Sequence, residues 1–385
     1  MNTRVLHVAD FSAPYPGAFI TQLRLLAAEL AGRGDGQTAF AFPQRAAGIG
    51  WLDELAAHGH PVMLLPEPSL LRPRPAAQLL AAAIADLQPD LVHSHFGTYD
   101  IAAARAVRGA AASGQPRPRL LWHYRTALED DVASRGLVRR AKDLVRYRIA
   151  GREVDAAIGV TEAMAREAAQ RGMGERAQAV VAGCNTDQFR SNDEARTRLR
   201  RELGVADGEV MLLHLGWHWA RKGGDLLAEA VRLLAAEGIA VRAFSVGAPD
   251  AQVEDPVVAL PFTDAIADLH AAADIFVSAS RSEGFGNGLV EAMACERVCV
   301  AALVDGQREV FSGIDGVASV RPGDARELAR GIRELLTVRG AWPRLGAANR
   351  AHVEQRYGMR RWAAEMADLY AGLAPRAGSG GARAA

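Results

Sequence analysis

The sequence has little cysteine, no surplus of either charge and no long apolar run. Its three cysteines, Cys184, Cys295 and Cys299, make no metal-type pair, and the C-x3-C spacing of the last two reads as core across a helix end and the next strand. An odd, low count argues against a disulfide scaffold and fits a reducing compartment, so a cytoplasmic location is expected. Lys+Arg and Asp+Glu both number 45, which leaves no bulk electrostatic pull on a nucleic acid. No apolar stretch approaches the ~20 residues that span a bilayer. The opening MNTRVLHVAD reads as a short polar leader and then a strand, not a signal peptide. There is no D-x-D pair for a divalent metal and no G-x4-GK[ST] loop. Neither a metal nor a cofactor is therefore expected.

What is present is alternation. The chain has 385 residues and 49% of them are apolar, enough for two ordinary cores. Apolar runs such as RVLHVAD, TAFAFP, VMLLP, LVHSHF, RLLWHY, AAIGVT and AQAVVAG are separated by helical patterns. The scheme restarts with VMLLHLGW, VRAFSVG, VVALPF, IFVSAS, RVCVAA and VASV. Strands that do not alternate, separated by helices, indicate parallel sheets covered on both faces. This many strands implies two Rossmann-like, doubly wound domains, with ligands beyond the carboxyl ends of the strands and the natural site in a central cleft between the domains. The polar stretch GCNTDQFRSNDEAR marks the break. The expected division is 1–185, 186–358, a terminal helix at 359–373 packing back on the first domain, and a disordered tail at 374–385.

One stretch carries most of the chemistry. In SRSEGFGNGLVEAMA, Glu283 and Glu291 bracket glycines 284, 286 and 288, between a strand and a helix beginning near Asn287. Unpaired amides at a helix start attract an anion, and glycine lets it approach closely. Carboxylates repel an anion but accept hydrogen bonds from hydroxyls. Hydroxyls on either side of a diphosphate describe a nucleotide sugar, with the sugar at Glu283 and the ribose at Glu291. The plainer alternative is a glycine turn followed by a helix-stabilising glutamate. LLHLGWHWARKGGDLL repeats strand, glycine turn and helix, with Lys222 placed to meet the same diphosphate or simply to be solvated.

These elements, EGFGNGLVE (E-x7-E) and the G-x5-KG run Gly216–Gly223, together with LQPDLVHSH and VVAGCNTDQF, resemble the retaining glycosyltransferases of family 4 (glycosyl transferases group 1). The likeness spans nearly the whole chain and is most specific over 275–310. It implies the α/β GT-B fold and metal-independent, retaining transfer from an NDP-sugar. It also implies roles for single residues. Glu283 would contact donor-sugar hydroxyls, Phe285, Gly286, Asn287 and Gly288 the sugar and diphosphate, and Glu291 the ribose. Lys222, with Gly216 in the same element, would bind the diphosphate, Gly17 would approach it, and His123 would lie by the reacting carbon. Two positions depart from the pattern. Trp217 stands where the family commonly has arginine, with Arg221 or Arg281 as substitutes for that charge. Near DGQRE the family's glycine pair reads Asp305–Gly306, although Glu309 matches. Rival readings are an epimerase-hydrolase or phosphorylase on the same fold and a non-catalytic partner subunit.

The acceptor is less determined. His93 and His95 share a strand face, as acceptor contacts or as core, with His95 the stronger candidate. Trp217 and Trp219 stack on a ligand or line the site. Glu129, Asp130 and Asp131 are either an acidic helix start or the receptor for a cationic acceptor such as an aminocyclitol or amino-sugar of antibiotic biosynthesis. SRGLVRRAKDLVRYRIAGR reads as a basic amphipathic helix; residues 135–152 offer peripheral membrane contact and a lipid-linked acceptor, or only a solvated face. The sequence leans to the cationic acceptor, because no strong apolar anchor accompanies the basic residues.

Overall fold

A computed structural model of the chain describes residues 3–34, 36–67, 72–125, 143–248, 252–311 and 313–374. It divides into two compact units, Met1–Val181 with Arg361–Ala385, and Ala182–Arg360.

The first unit is built on β1 (Arg4–Ala9), β2 (Gln37–Pro43), β3 (Val62–Leu65), β4 (Leu91–His95), β5 (Arg119–Tyr124), β6 (Ala156–Gly159) and β7 (Ala177–Ala179). They form one sheet in the order β3-β2-β1-β4-β5-β6-β7, and all pairings are parallel. Parallel neighbours need crossovers, and helices such as Gly17–Gly32, Arg74–Leu87 and Asp100–Ala112 provide them. The C-terminal helix Met359–Leu373 returns to this unit. Its Trp362, Met366 and Tyr370, four residues apart and so on one helical face, pack with Val5, Leu26, Leu91 and Leu121.

The second unit is built on β8 (Val210–Leu215), β9 (Val241–Val246), β10 (Val258–Leu260), β11 (Ile275–Ser278), β12 (Val298–Ala302) and β13 (Val317–Val320). Its order is β10-β9-β8-β11-β12-β13, again parallel throughout. The strand order reverses between β1 and β4 in the first sheet and between β8 and β11 in the second. Beyond the carboxyl ends of such strand pairs the chain leaves room for a ligand. The loops after β8 and β11 carry Lys222 and Glu283; β4 and β5 end in His95 and His123-Tyr124.

The basic stretch, expected as a single amphipathic helix over 135–152, is described only in part. Residues 126–142 lie outside the described set. Beyond them, Leu144–Ile149 is a π-helical turn and Ala150–Glu153 a 3-10 turn. Within the stretch, Arg146 turns inward instead of meeting solvent. Its Nε and Nη2 donate to Asp100 Oδ2 at 3.0 and 2.7 Å, and its guanidinium lies 5.6 Å from the Trp122 ring centroid. The outward positions mix apolar and basic side chains, with Leu144 57% and Ile149 54% exposed beside exposed Arg148 and Arg152.

Candidate active site

In the second unit, β8 and β11 lie side by side and bring Lys222 and Glu283 into contact. Lys222 Nζ donates to Glu283 Oε1, and the Ser280 hydroxyl donates to the same oxygen at 2.7 Å. Burial works to raise the Glu283 carboxyl, but the Lys222 ammonium outweighs it and holds the group below its ordinary value. An ionised carboxylate accepts hydrogen bonds and donates none, which suits it to sugar hydroxyls.

The turn around this pair is packed so closely that only glycine fits. A Cβ on Gly223, at φ +73°, would lie 2.1 Å from the Ala279 carbonyl oxygen, and one on Gly306 would lie 2.2 Å from both the Glu283 and Gly284 carbonyl oxygens. The helix Asn287–Ala294 begins directly after Gly286, and its first amides have no intrahelical partner. Lys222, Glu283, Gly286, Gly288, His214, Ser278 and Gln307 are among the residues around a small cavity of about 20 Å³. Gln307 escaped sequence reading. Its Nε2 donates to Ser278 Oγ at 2.6 Å, and its buried Oε1 has no partner among the described residues.

The remaining donor-site candidates fall around this centre. The Phe285 ring is buried, edge-on to Tyr357 with centroids 5.5 Å apart, so this residue has only backbone to offer a ligand. Glu291, one turn into the helix, lies with Oε2 3.6 Å from His270 Nε2 and is not among the cavity residues. Arg281, one of the two expected substitutes for the missing arginine, already has an acidic partner. It is bidentate to Asp225 at 2.8 and 2.7 Å and also donates to the Ala220 carbonyl. Arg221 stacks on the Trp217 ring, 4.6 Å from its centroid, and Lys222 Nζ lies 5.5 Å from the same centroid. Trp219 is buried against Gly224 and is core.

In the first unit, Gly17 opens the helix Gly17–Gly32 at φ +53°. Beneath that helix lie four buried histidines, His7, His93, His95 and His123. Register aligns His7 with His93 and His95 with His123 across β1, β4 and β5. His7 Nδ1 is 3.0 Å from His95 Nε2, and His123 Nδ1 is 3.2 Å from His93 Nε2. His93 Nδ1 meets the Tyr370 hydroxyl, and Arg125 Nε donates to His95 Nδ1 at 3.2 Å. Burial, then the neighbouring Arg125 charge, pushes His7 down to about 3 and holds His123 far below the ordinary imidazole value. Both ring nitrogens of His95 are engaged, so it has no free atom for an acceptor and takes the core role. His123 differs, because its Nε2 has no partner among the described residues. Nitrogens of His7, His93 and His95 lie within 4.8 Å of one another. A cation there would compete for lone pairs already used in hydrogen bonds and would sit beside Arg125, so the donor set does not suit a metal. Glu129, Asp130 and Asp131 lie outside the described residues.

Comparison with known families covers both units. Residues 17–184 match the glycosyl transferase 4-like domain, and residues 209–338 match glycosyl transferases group 1. The chain belongs to the group 1 glycosyltransferases. The chain is 30% identical over 290 residues to a D-inositol 3-phosphate glycosyltransferase of Xylanimonas cellulosilytica, covering 70% of this chain and 64% of that one. It is 25% identical over 184 residues to an N-acetyl-alpha-D-glucosaminyl L-malate synthase of Bacillus anthracis, covering 45% and 48%. The chain spans less than two thirds of the length of the curated relatives it matches. Among solved structures, Anabaena HepE in complex with UDP and glucose superposes with a TM-score of 0.79 at 21% identity, covering 96% of this chain and 100% of that one. The two sheets thus have the GT-B fold. Among the described residues no helix is long and apolar enough to cross a membrane.

Proposed function

We propose that this glycosyltransferase moves a sugar from a nucleotide diphosphate sugar to an acceptor hydroxyl, with retention of configuration and without a metal. The observation that carries the reading is the Lys222–Glu283 pair at the strand-order reversal, beside the start of the helix Asn287–Ala294. An incoming diphosphate takes Lys222 and the helix amides, and Glu283 is left ionised for the sugar hydroxyls. Glu291 holds the ribose. The bond from the anomeric carbon to the phosphate oxygen breaks with its electron pair going to the diphosphate. Lys222 and the helix terminus stabilise that charge. The carbon passes through an oxocarbenium-like state. The acceptor oxygen bonds on the face the diphosphate leaves, and its proton passes to the departing phosphate oxygen. The three cysteines are free and buried, in keeping with a cytoplasmic enzyme.

For the acceptor, an anionic polyol or hydroxy acid has better support than a cationic aminocyclitol. Inositol 3-phosphate and malate, in the names of two relatives, are anionic hydroxyl compounds. Arg125 follows β5, and its Nη2 is buried with no partner among the described residues. Burial lowers it to about 9, which still leaves a cation at neutral pH. The cationic alternative rests on Glu129, Asp130 and Asp131. A second reading, an acceptor carried by a lipid, is favoured by the exposed Leu144, Val145 and Ile149, the apolar anchor whose absence argued against a membrane role.

The test is a screen of the purified protein, with and without EDTA, for slow hydrolysis of nucleotide sugars in the absence of acceptor. Myo-inositol phosphate, malate, an aminocyclitol and anionic liposomes with lipid-linked sugar follow as acceptors. Turnover of one donor that survives EDTA and gives a product of unchanged anomeric configuration is expected. An inverted product, or no nucleotide-sugar binding by calorimetry, would overturn the reading.

A further inference from the structure

The buried histidines form two hydrogen-bonded chains whose direction follows from chemistry. In the first, Arg125 heads the chain. A guanidinium donates and never accepts, so Arg125 Nε–H donates to His95 Nδ1. A neutral imidazole that accepts at Nδ1 carries its proton on Nε2. His95 Nε2–H therefore donates to His7 Nδ1 at 3.0 Å, and His7 in turn has its proton on Nε2.

The second chain is headed by Tyr370. Its hydroxyl is fully buried, and its ring-nitrogen partner is His93 Nδ1. Burial keeps this phenol protonated well above its ordinary value. Either direction leaves one buried donor without a partner, the Tyr370 O–H or the His123 Nε2–H, but a phenol is the stronger acid and an imidazole nitrogen the stronger base, so O–H···N is the better hydrogen bond. Tyr370 O–H therefore donates to His93 Nδ1. His93 Nε2–H donates to His123 Nδ1 at 3.2 Å, and His123 has its proton on Nε2. That is the His123 nitrogen without a partner among the described residues.

We propose that Tyr370, acting through His93, is a positioning residue that holds His123 as the Nε2–H tautomer, so that its unpartnered nitrogen is a hydrogen-bond donor to a sugar oxygen. The assignment of a sugar to that nitrogen rests on the glycosyl-transfer reading; the tautomer does not. His123 then acts by donating a hydrogen bond and does not remove the acceptor's proton. The group that sets it stands 277 positions from His93, on the C-terminal helix. Two further polar groups face the cluster, Arg125 and Gln22, whose Oε1 accepts from Arg125 Nη1 at 2.6 Å. Both are engaged in the other chain, so the direction at His123 depends on Tyr370.

The experiment is nitrogen-15 NMR of the histidine rings in the full chain, which distinguishes the two neutral tautomers and the imidazolium without any substrate. His7, His93, His95 and His123 are all expected as Nε2–H at neutral pH. In Tyr370→Phe, His93 and His123 should become tautomer mixtures. His7 and His95, headed by Arg125, should keep their pattern and report that the fold is intact. With a nucleotide sugar, Tyr370→Phe should lower kcat about three- to tenfold with little change in KM, the scale of one misdirected hydrogen bond. His123 found as Nδ1–H or imidazolium in the wild type overturns the proposal. So does an unchanged His123 pattern in Tyr370→Phe. Should the variant not fold, the wild-type spectrum decides alone. Absence of turnover in a wild type with the expected tautomers counts against the glycosyl-transfer reading only.

Discussion

His214 fastens the backbone of Lys222 to the edge of β8. Its Nε2 donates to the Lys222 carbonyl at 3.0 Å and its Nδ1 accepts from Ser245 Oγ at 2.9 Å. Gly216 makes this possible, since a Cβ there would lie 2.2 Å from that same Ser245 oxygen. The ammonium of Lys222 therefore starts from a fixed point. Lys222→Ala is expected to cost about 2–4 kcal/mol in transition-state stabilisation, the range for losing one preorganised charge partner. His214→Ala leaves the ammonium in place but frees its backbone, and should raise KM for the nucleotide sugar with a smaller effect. Steady-state kinetics on both variants measure this. Near-normal values for Lys222→Ala would place the anion site elsewhere.

Acid should destabilise the protein below about pH 6.5. Burial holds His7 at about 3 and His214 at about 4, and pushes His93, His95 and His123 well down from the ordinary 6.5. Below 6.5 these rings take up protons in the unfolded chain and not in the folded one. The unfolded state then binds more protons, so stability falls as pH falls towards those depressed values. Glu283, held below its ordinary 4.5, adds a loss of the same sign once pH falls through its folded value. Scanning calorimetry from pH 7.5 to 4.5 should show a falling Tm with proton uptake on unfolding. A flat Tm over that range would contradict the neutral cluster.

Gly306→Ala should damage the site although Gly306 bears no reactive group. Its Cβ would meet two backbone oxygens of the Glu283–Gly284 turn, which have no rotamer through which to retreat. We expect about 1–3 kcal/mol of lost stability and a raised KM. Urea melts and donor titration measure the two effects, and a variant with both unaltered would show that the turn is free to shift.

Trp217→Arg should tighten donor binding. The indole is 46% exposed and lies against Arg221 and Lys222. A guanidinium at that position adds a bidentate phosphate partner, with an expected fall in KM of about three- to tenfold. Calorimetry with the nucleotide diphosphate alone would show whether the gain lies in the phosphate contact. Unchanged affinity would mean that Arg221 already supplies the charge.

Periodicity revealed the strands, because an apolar run such as VMLLHL keeps its local pattern wherever the chain goes. The E-x7-E and G-x5-KG elements were legible for the same reason, since each is a strand, turn and helix within one short stretch. What stayed hidden depends on strand order. Lys222 and Glu283 are 61 positions apart, and their contact exists because β8 and β11 are neighbours. The partners His93 and Tyr370, and Gln307 at the cavity, carry no local signal of their role. Arg146, within the basic stretch 135–152, was illegible for a related reason: it has the same letter as a solvated arginine, and only the position of Asp100 shows that it turns inward.

The return of the last helix to the first unit bears on the order in which the protein is made. The unit Ala182–Arg360 is one uninterrupted stretch, whereas the other waits for Trp362, Met366 and Tyr370. A ribosome delivers the N-terminal sheet first, yet that sheet keeps an uncovered apolar face until the helix Met359–Leu373 has followed. The later stretch can finish folding before the earlier one. Nascent chains arrested before Arg361 would be clients for chaperones that hold exposed apolar surface.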